Sequence, residues 1–100
     1  MTTKNYQAKK TEFLVSIDDG SEYDLKIADL LRRHKIKGIF YIPNRRDLTA
    51  EEIIGLGRDF EIGGHTANHP SDLKLLADDE LEEEIVSNKV WLEELIGRKV

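Results

Sequence analysis

The chain has 100 residues, a length that allows one domain at most. It is 39% hydrophobic and 35% charged, carries a net charge of −5, and contains no cysteine. These figures exclude disulfides and thiolate metal sites, and the absence of a basic stripe argues against nucleic acid as a partner.

Residues 1–11 open Met1-Thr2-Thr3-Lys4-Asn5, are polar, and are expected to form a flexible N-terminal segment. They lack the apolar core of a signal peptide, and no later run approaches the length of a membrane span. The expectation is a cytoplasmic chain with no membrane partner, or a secreted parent whose leader has been removed. Phe13-Leu14-Val15-Ser16-Ile17 reads as a buried strand, stopped by the turn formers Asp18-Asp19-Gly20.

Ser21, with Asp24 three residues on, resembles a capping box and predicts a helix start. Tyr23, Ile27, Leu30, Leu31 and His34 then share one face of that helix, with His34 at a surface or boundary position near its C-terminus. Gly38-Ile39-Phe40-Tyr41-Ile42 is a second strand closed by Pro43. Arg45-Arg46 follow in a loop and read as solvated. Thr49 and Glu52 form a second capping box, with Leu48 and Ile53 placed as a hydrophobic staple, and this short helix is expected to end near Gly57.

Phe60-Glu61-Ile62 is a third strand, broken at Gly63-Gly64. The last helix is predicted from about Asp78 to Ile96, ending at Gly97. Leu81, Ile85, Leu92 and Leu95 form its buried stripe, interrupted by Asn88. Its acidic run, Asp78 to Glu84, favours the helix N-terminus and faces solvent. Trp91 and Tyr23 are core or boundary residues, and Arg98-Lys99-Val100 looks like the start of a fourth strand. The order β-α-β-α-β-α implies an α/β fold with parallel strands and right-handed crossovers.

In such a fold, ligands gather at the C-terminal ends of the strands. Asp18-Asp19-Gly20 lies at the end of the first strand; taken alone it reads more simply as a turn. His65 and His69 lie after the third strand, between Gly63-Gly64 and Pro70, on a loop or single turn. Alone they could equally be surface histidines. Together the two segments place a carboxylate and two imidazoles at one sheet edge. Three N/O ligands leave a coordination position open, which is the catalytic rather than the structural pattern.

Ser16-Ile17-Asp18-Asp19-Gly20 resembles the first motif of the polysaccharide deacetylases, the NodB-homology domain of carbohydrate esterase family four. His65-Thr66-Ala67-Asn68-His69-Pro70 is similar to their second motif. The segments Phe60-Glu61-Ile62-Gly63 and Ile36-Lys37-Gly38-Ile39-Phe40-Tyr41 extend the resemblance, which covers about residues 11 to 100. It implies that Asp18 is the catalytic base, that Asp19, His65 and His69 hold a divalent metal, and that Thr66 shapes the histidine loop through its hydroxyl.

It further implies that residues 12–100 are the N-terminal portion of a catalytic domain, the first part of a distorted (β/α) barrel. The expected reaction removes N- or O-acetyl groups from acetylated carbohydrate by metal-activated water. Zinc suits the donor set, and cobalt, nickel or manganese would also bind.

The family's later motifs supply an Arg that orients the base and a His acid; both would lie beyond residue 100, so the chain reads as truncated. Two alternatives stay open: a metal-binding fragment without turnover, and a family member acting on small amides. Strands cut from a barrel expose an edge, so a homo-oligomer that covers it is expected.

Overall fold

The computed structural model describes residues 11–100; most of the expected flexible segment lies outside the described residues. Three strands, β1 (Leu14–Asp18), β2 (Lys37–Ile42) and β3 (Glu61–Gly64), form one parallel sheet in the order β1-β2-β3. Between them run α1 (Asp24–His34) and α2 (Ala50–Asp59). A 3-10 turn (Leu73–Leu75) and α3 (Asp78–Ile96) follow β3. The expected α/β arrangement, β-α-β-α-β-α with parallel pairing, is present.

The sheet has one covered face. Along β2, Gly38, Phe40 and Ile42 are buried, while Lys37 is exposed and Ile39 and Tyr41 are half-buried. Phe40 and Ile42 meet Ile53 and Leu56 of α2, Ala28 and Leu31 of α1, and Leu92 of α3 in one core. Burying each of the larger aliphatic side chains contributes roughly 1.5–3 kcal/mol. On the opposite face, the register sets Asp18 beside Tyr41, and Tyr41 beside Gly63.

Several elements differ from expectation. β1 is not a buried strand: Phe13 is 68% and Leu14 55% exposed, and only Val15 and Ile17 pack against the core. The cause is its place at the sheet edge. In α1 the buried line is Asp24, Ala28 and Leu31; of the predicted face Leu31 is in the core and Ile27 packs against it, but Leu30 and His34 are exposed and Tyr23 is 65% exposed rather than core or boundary. The helix turns this way because Leu31 lies over Gly38, where a Cβ would stand 2.8 Å from the Leu31 Cδ1. The Ser21 capping box is not formed either. Ser21 Oγ accepts instead from the Tyr23 N–H (3.2 Å), and α1 starts at Asp24.

The second capping box is complete: Thr49 Oγ1 accepts from the Glu52 N–H (3.1 Å), and Glu52 Oε1 accepts from the Thr49 N–H (2.8 Å). β3 runs through Gly63 and Gly64 instead of breaking there. Glycine at 63 lets the Tyr41 ring lie on the neighbouring strand, since a Cβ would stand 2.5 Å from that ring. α3 has the predicted ends, with Gly97 left-handed at its C-cap. Its stripe is different: Ile85 is 52% exposed, and Asn88 is 1% exposed. Arg98–Val100 form no strand. The Arg98 guanidinium instead donates to the Gly57 and Phe60 carbonyls (2.6 and 3.0 Å), which ties the chain to the end of α2.

Candidate metal centre

The parallel register brings two turns together at the C-terminal edge of the sheet. The first follows β1. Asp18 closes that strand, exposed on the uncovered face. Asp19 is left-handed (φ 85°), and its N–H donates to the Tyr41 carbonyl at 3.0 Å. Gly20 is left-handed too (φ 63°), and a Cβ there would stand 2.8 Å from the Arg46 Cβ. A non-glycine residue in this region costs about 1–2 kcal/mol, so the surrounding contacts must hold Asp19 there.

The second turn follows β3. The His65 N–H donates to Asn88 Oδ1 (2.7 Å), and the Thr66 hydroxyl donates to the His65 carbonyl (2.5 Å). Thr66 and His69 are both left-handed, at φ 65° and 51°. Ala67 bridges two elements: its N–H donates to the Glu84 carbonyl of α3, and its carbonyl accepts from the Arg45 N–H, both at 2.9 Å. Asn68 donates its N–H and its side-chain amide to the Glu84 carboxylate, at 2.8 and 2.6 Å.

These turns place Asp19 Oδ1 3.0 Å from both His65 Nε2 and His69 Nε2. One donor atom from each of the three lies within 4.8 Å of the others. The imidazole centroids are 4.9 Å apart. With an Nε2 proton these contacts are His-to-Asp hydrogen bonds; without it, the same atoms present lone pairs to a common point. Donors about 2.1 Å from one ion stand about 3.0–3.4 Å apart, so one carboxylate oxygen and two ring nitrogens at these distances fit a divalent cation.

Of the residues singled out in the sequence, Asp19, His65 and His69 come together. Thr66 lies beside them with its hydroxyl on the His65 carbonyl, and Asp18 is the neighbouring carboxylate at the strand end. His34 is exposed on the last turn of α1. Two clefts flank His69. One, of about 440 Å³, is lined by Thr66, Pro70, Leu73, Ile85 and Lys89 among others. The other, of about 450 Å³, runs past Asp19, Ser21, Arg45, Arg46 and Asp47.

Four contributors were misread or missed in the sequence. Arg46 is not a solvated loop residue: its guanidinium lies 4.6 Å from the centroid of the Trp91 ring and donates to the Asn44 carbonyl at 2.7 Å. Asn88 does not interrupt a stripe; its amide donates to the Ile42 carbonyl (3.0 Å) and Asn44 Oδ1 (2.9 Å) while holding His65. Glu84 leaves the solvated acidic run to hold Asn68, and those N–H groups keep its carboxyl below the usual range. Asp24 is 1% exposed, and burial, with repulsion from Asp19 and Asp18, pushes its carboxyl up to about 6. The only hint of Asn88 in the sequence was a polar residue inside an apolar stripe.

A family model described as polysaccharide deacetylase matches residues 5–100. The chain belongs to that family. An uncharacterised Bacillus subtilis protein, YlxY, is 31% identical over 91 residues, which cover 87% of this chain and 28% of YlxY. Among solved structures, Bacillus subtilis PdaA, a family 4 carbohydrate esterase, matches with a TM-score of 0.78 and 24% identity, over 92% of this chain and 41% of PdaA. Streptococcus pyogenes deacetylase PplD, solved with acetate, matches with a TM-score of 0.80 and 20% identity, over 92% of this chain and 44% of PplD. The chain thus spans less than half the length of each of these proteins. Its three parallel strands and their helices correspond to part of the deacetylase (β/α) barrel. Among the described residues no helix is long and apolar enough to cross a membrane.

Proposed function

We propose that this chain carries the metal-holding part of a polysaccharide deacetylase site, and that residues 12–100 are the N-terminal portion of its catalytic domain. The reaction is hydrolysis of N- or O-acetyl groups on carbohydrate. The observation that carries this reading is the convergence of Asp19, His65 and His69 donor atoms within 4.8 Å at the sheet edge. Two turns with strained backbones are held in place to achieve it, and such strain clusters at functional sites. The acetate bound to PplD, a similar fold, is the small product that such a hydrolysis releases.

Asp19, His65 and His69 would hold the cation, zinc by preference, with cobalt, nickel or manganese as substitutes. When bound, a divalent ion supplies Lewis acidity, polarising a carbonyl oxygen and acidifying water. Asp18 stands next to this cluster, exposed at the strand end, where it can take a proton from water attacking the acetyl carbon. The acyl C–N or C–O bond then breaks, the proton passes to the departing amine or alcohol oxygen, and acetate leaves. Thr66 fixes the His65 carbonyl and with it the left-handed turn.

Calorimetry of zinc binding to the metal-stripped chain, with Asp19→Ala and His65→Ala alongside, tests the centre. One-to-one binding in the intact chain, weakened at least tenfold in both variants, is expected. No binding to the intact chain would sink the reading. Acetate release from an acetylated glucosamine polymer then separates a working deacetylase from a chain that only holds metal.

A further inference from the structure

We propose that Glu84, one turn before Asn88 on α3, is a positioning residue for this centre: by clamping the turn between His65 and His69 it sets how tightly the cation is held. The inference rests on the metal reading above. Residues i and i+4 share one helix face, and Glu84 and Asn88 stand on the same inward line as Leu81 and Leu92. Leu92 is buried, Asn88 is 1% exposed and Glu84 is half-buried, so the line runs from the core out to the histidine loop. Two polar groups stand on it: the buried Asn88 amide needs partners, and the Glu84 carboxylate at the rim faces the loop.

Each finds a partner in the histidine loop, Asn88 in addition to the Ile42 carbonyl and Asn44. Asn88 takes the loop's entry, accepting from the His65 N–H at 2.7 Å. Glycine at 64 makes room for this, because a Cβ there would stand 2.7 Å from Asn88 Oδ1. Glu84 takes the middle. Its carbonyl accepts from the Ala67 N–H, and its two carboxylate oxygens accept from the Asn68 N–H and side-chain amide. Asn68 directly precedes His69, and the turn has left-handed residues on either side of it, Thr66 and His69. The Thr66 hydroxyl restrains the entry of this turn and the Arg45 N–H its middle; the bidentate grip on Asn68 adds the restraint nearest His69. With it removed, the turn can relax toward an ordinary conformation and carry His69 Nε2 away from Asp19.

Cobalt(II) alone serves as the probe, titrated into the metal-free chain by calorimetry and followed by its visible d–d absorption. Glu84→Ala should weaken binding by about 10–100-fold and shift that band, with helix content by circular dichroism unchanged. Glu84→Gln keeps an acceptor oxygen for the Asn68 N–H and should recover most of the affinity and the original band. Unaltered affinity and band in Glu84→Ala would overturn the positioning role and leave the metal reading standing. Glu84→Gln as weak as Glu84→Ala would assign the effect to charge and overturn it as well. No cobalt uptake by the wild-type chain would overturn the metal reading itself, and this inference with it.

Discussion

Asp24 is the residue where burial and charge conflict most directly. Its carboxyl is almost fully buried, one oxygen has no hydrogen-bond partner, and Asp19 and Asp18 repel it from nearby. A carboxyl raised to about 6 when folded, against 3.8 unfolded, binds its proton more tightly in the native state. Stability from this group is therefore fully present below about pH 4 and is lost as pH rises through about 6, by at most about 2–3 kcal/mol. Asp24→Asn should be more stable than wild type at pH 7, with the gap closing toward pH 4. Urea melts of the metal-free proteins measure this, and a gap that does not change with pH would refute it. None of this was legible in the sequence, where Asp24 looked like half of a cap. Its burial depends on the turn of α1 over Gly38, and its charge environment on the fold of residues 18–20. Arg46 was misread for a similar reason, since its partner Trp91 is 45 positions away.

Among the elements, α1 ends with a left-handed Lys35 (φ 56°), whose N–H donates to the Arg32 carbonyl. A lysine there bears a steric cost that glycine does not, so Lys35→Gly should raise stability by about 0.5–1 kcal/mol. A lower thermal midpoint in that variant would contradict the assignment of the cap. Helix ends governed by local chemistry could be read from sequence: the Thr49–Glu52 box and the Gly97 stop are both in place. Faces could not. Ile85 and Asn88 exchange their expected environments because α3 packs on β2 and β3 through polar groups that serve the histidine loop, and a periodicity argument places any apolar residue inward.

At the scale of the whole molecule, the candidate centre was legible because a parallel sheet gathers every strand's C-terminal end at one edge. Asp19 and the histidines, 46 and 50 positions apart, could then be matched without knowing a side-chain contact. What holds them, Glu84 and Asn88, comes from a helix whose docking no motif encodes. Among the described residues β1 has a strand partner on one side only, and Phe13 and Leu14 stand exposed beside it. An uncovered edge next to apolar side chains favours pairing with a second copy. Light scattering should show a dimer or larger species at ~50 µM, well above a micromolar contact affinity; a monomer at that concentration would count against it.

The stacking of Arg46 on Trp91 has a practical side. Trp91 is the sole tryptophan in the chain, so its fluorescence originates from one place. Arg46 belongs to the loop that borders the cleft beside Asp19 and His69. The indole emission is therefore a built-in optical gauge of that loop: any ligand that draws Arg46 off the ring should change its intensity or wavelength, with no label attached.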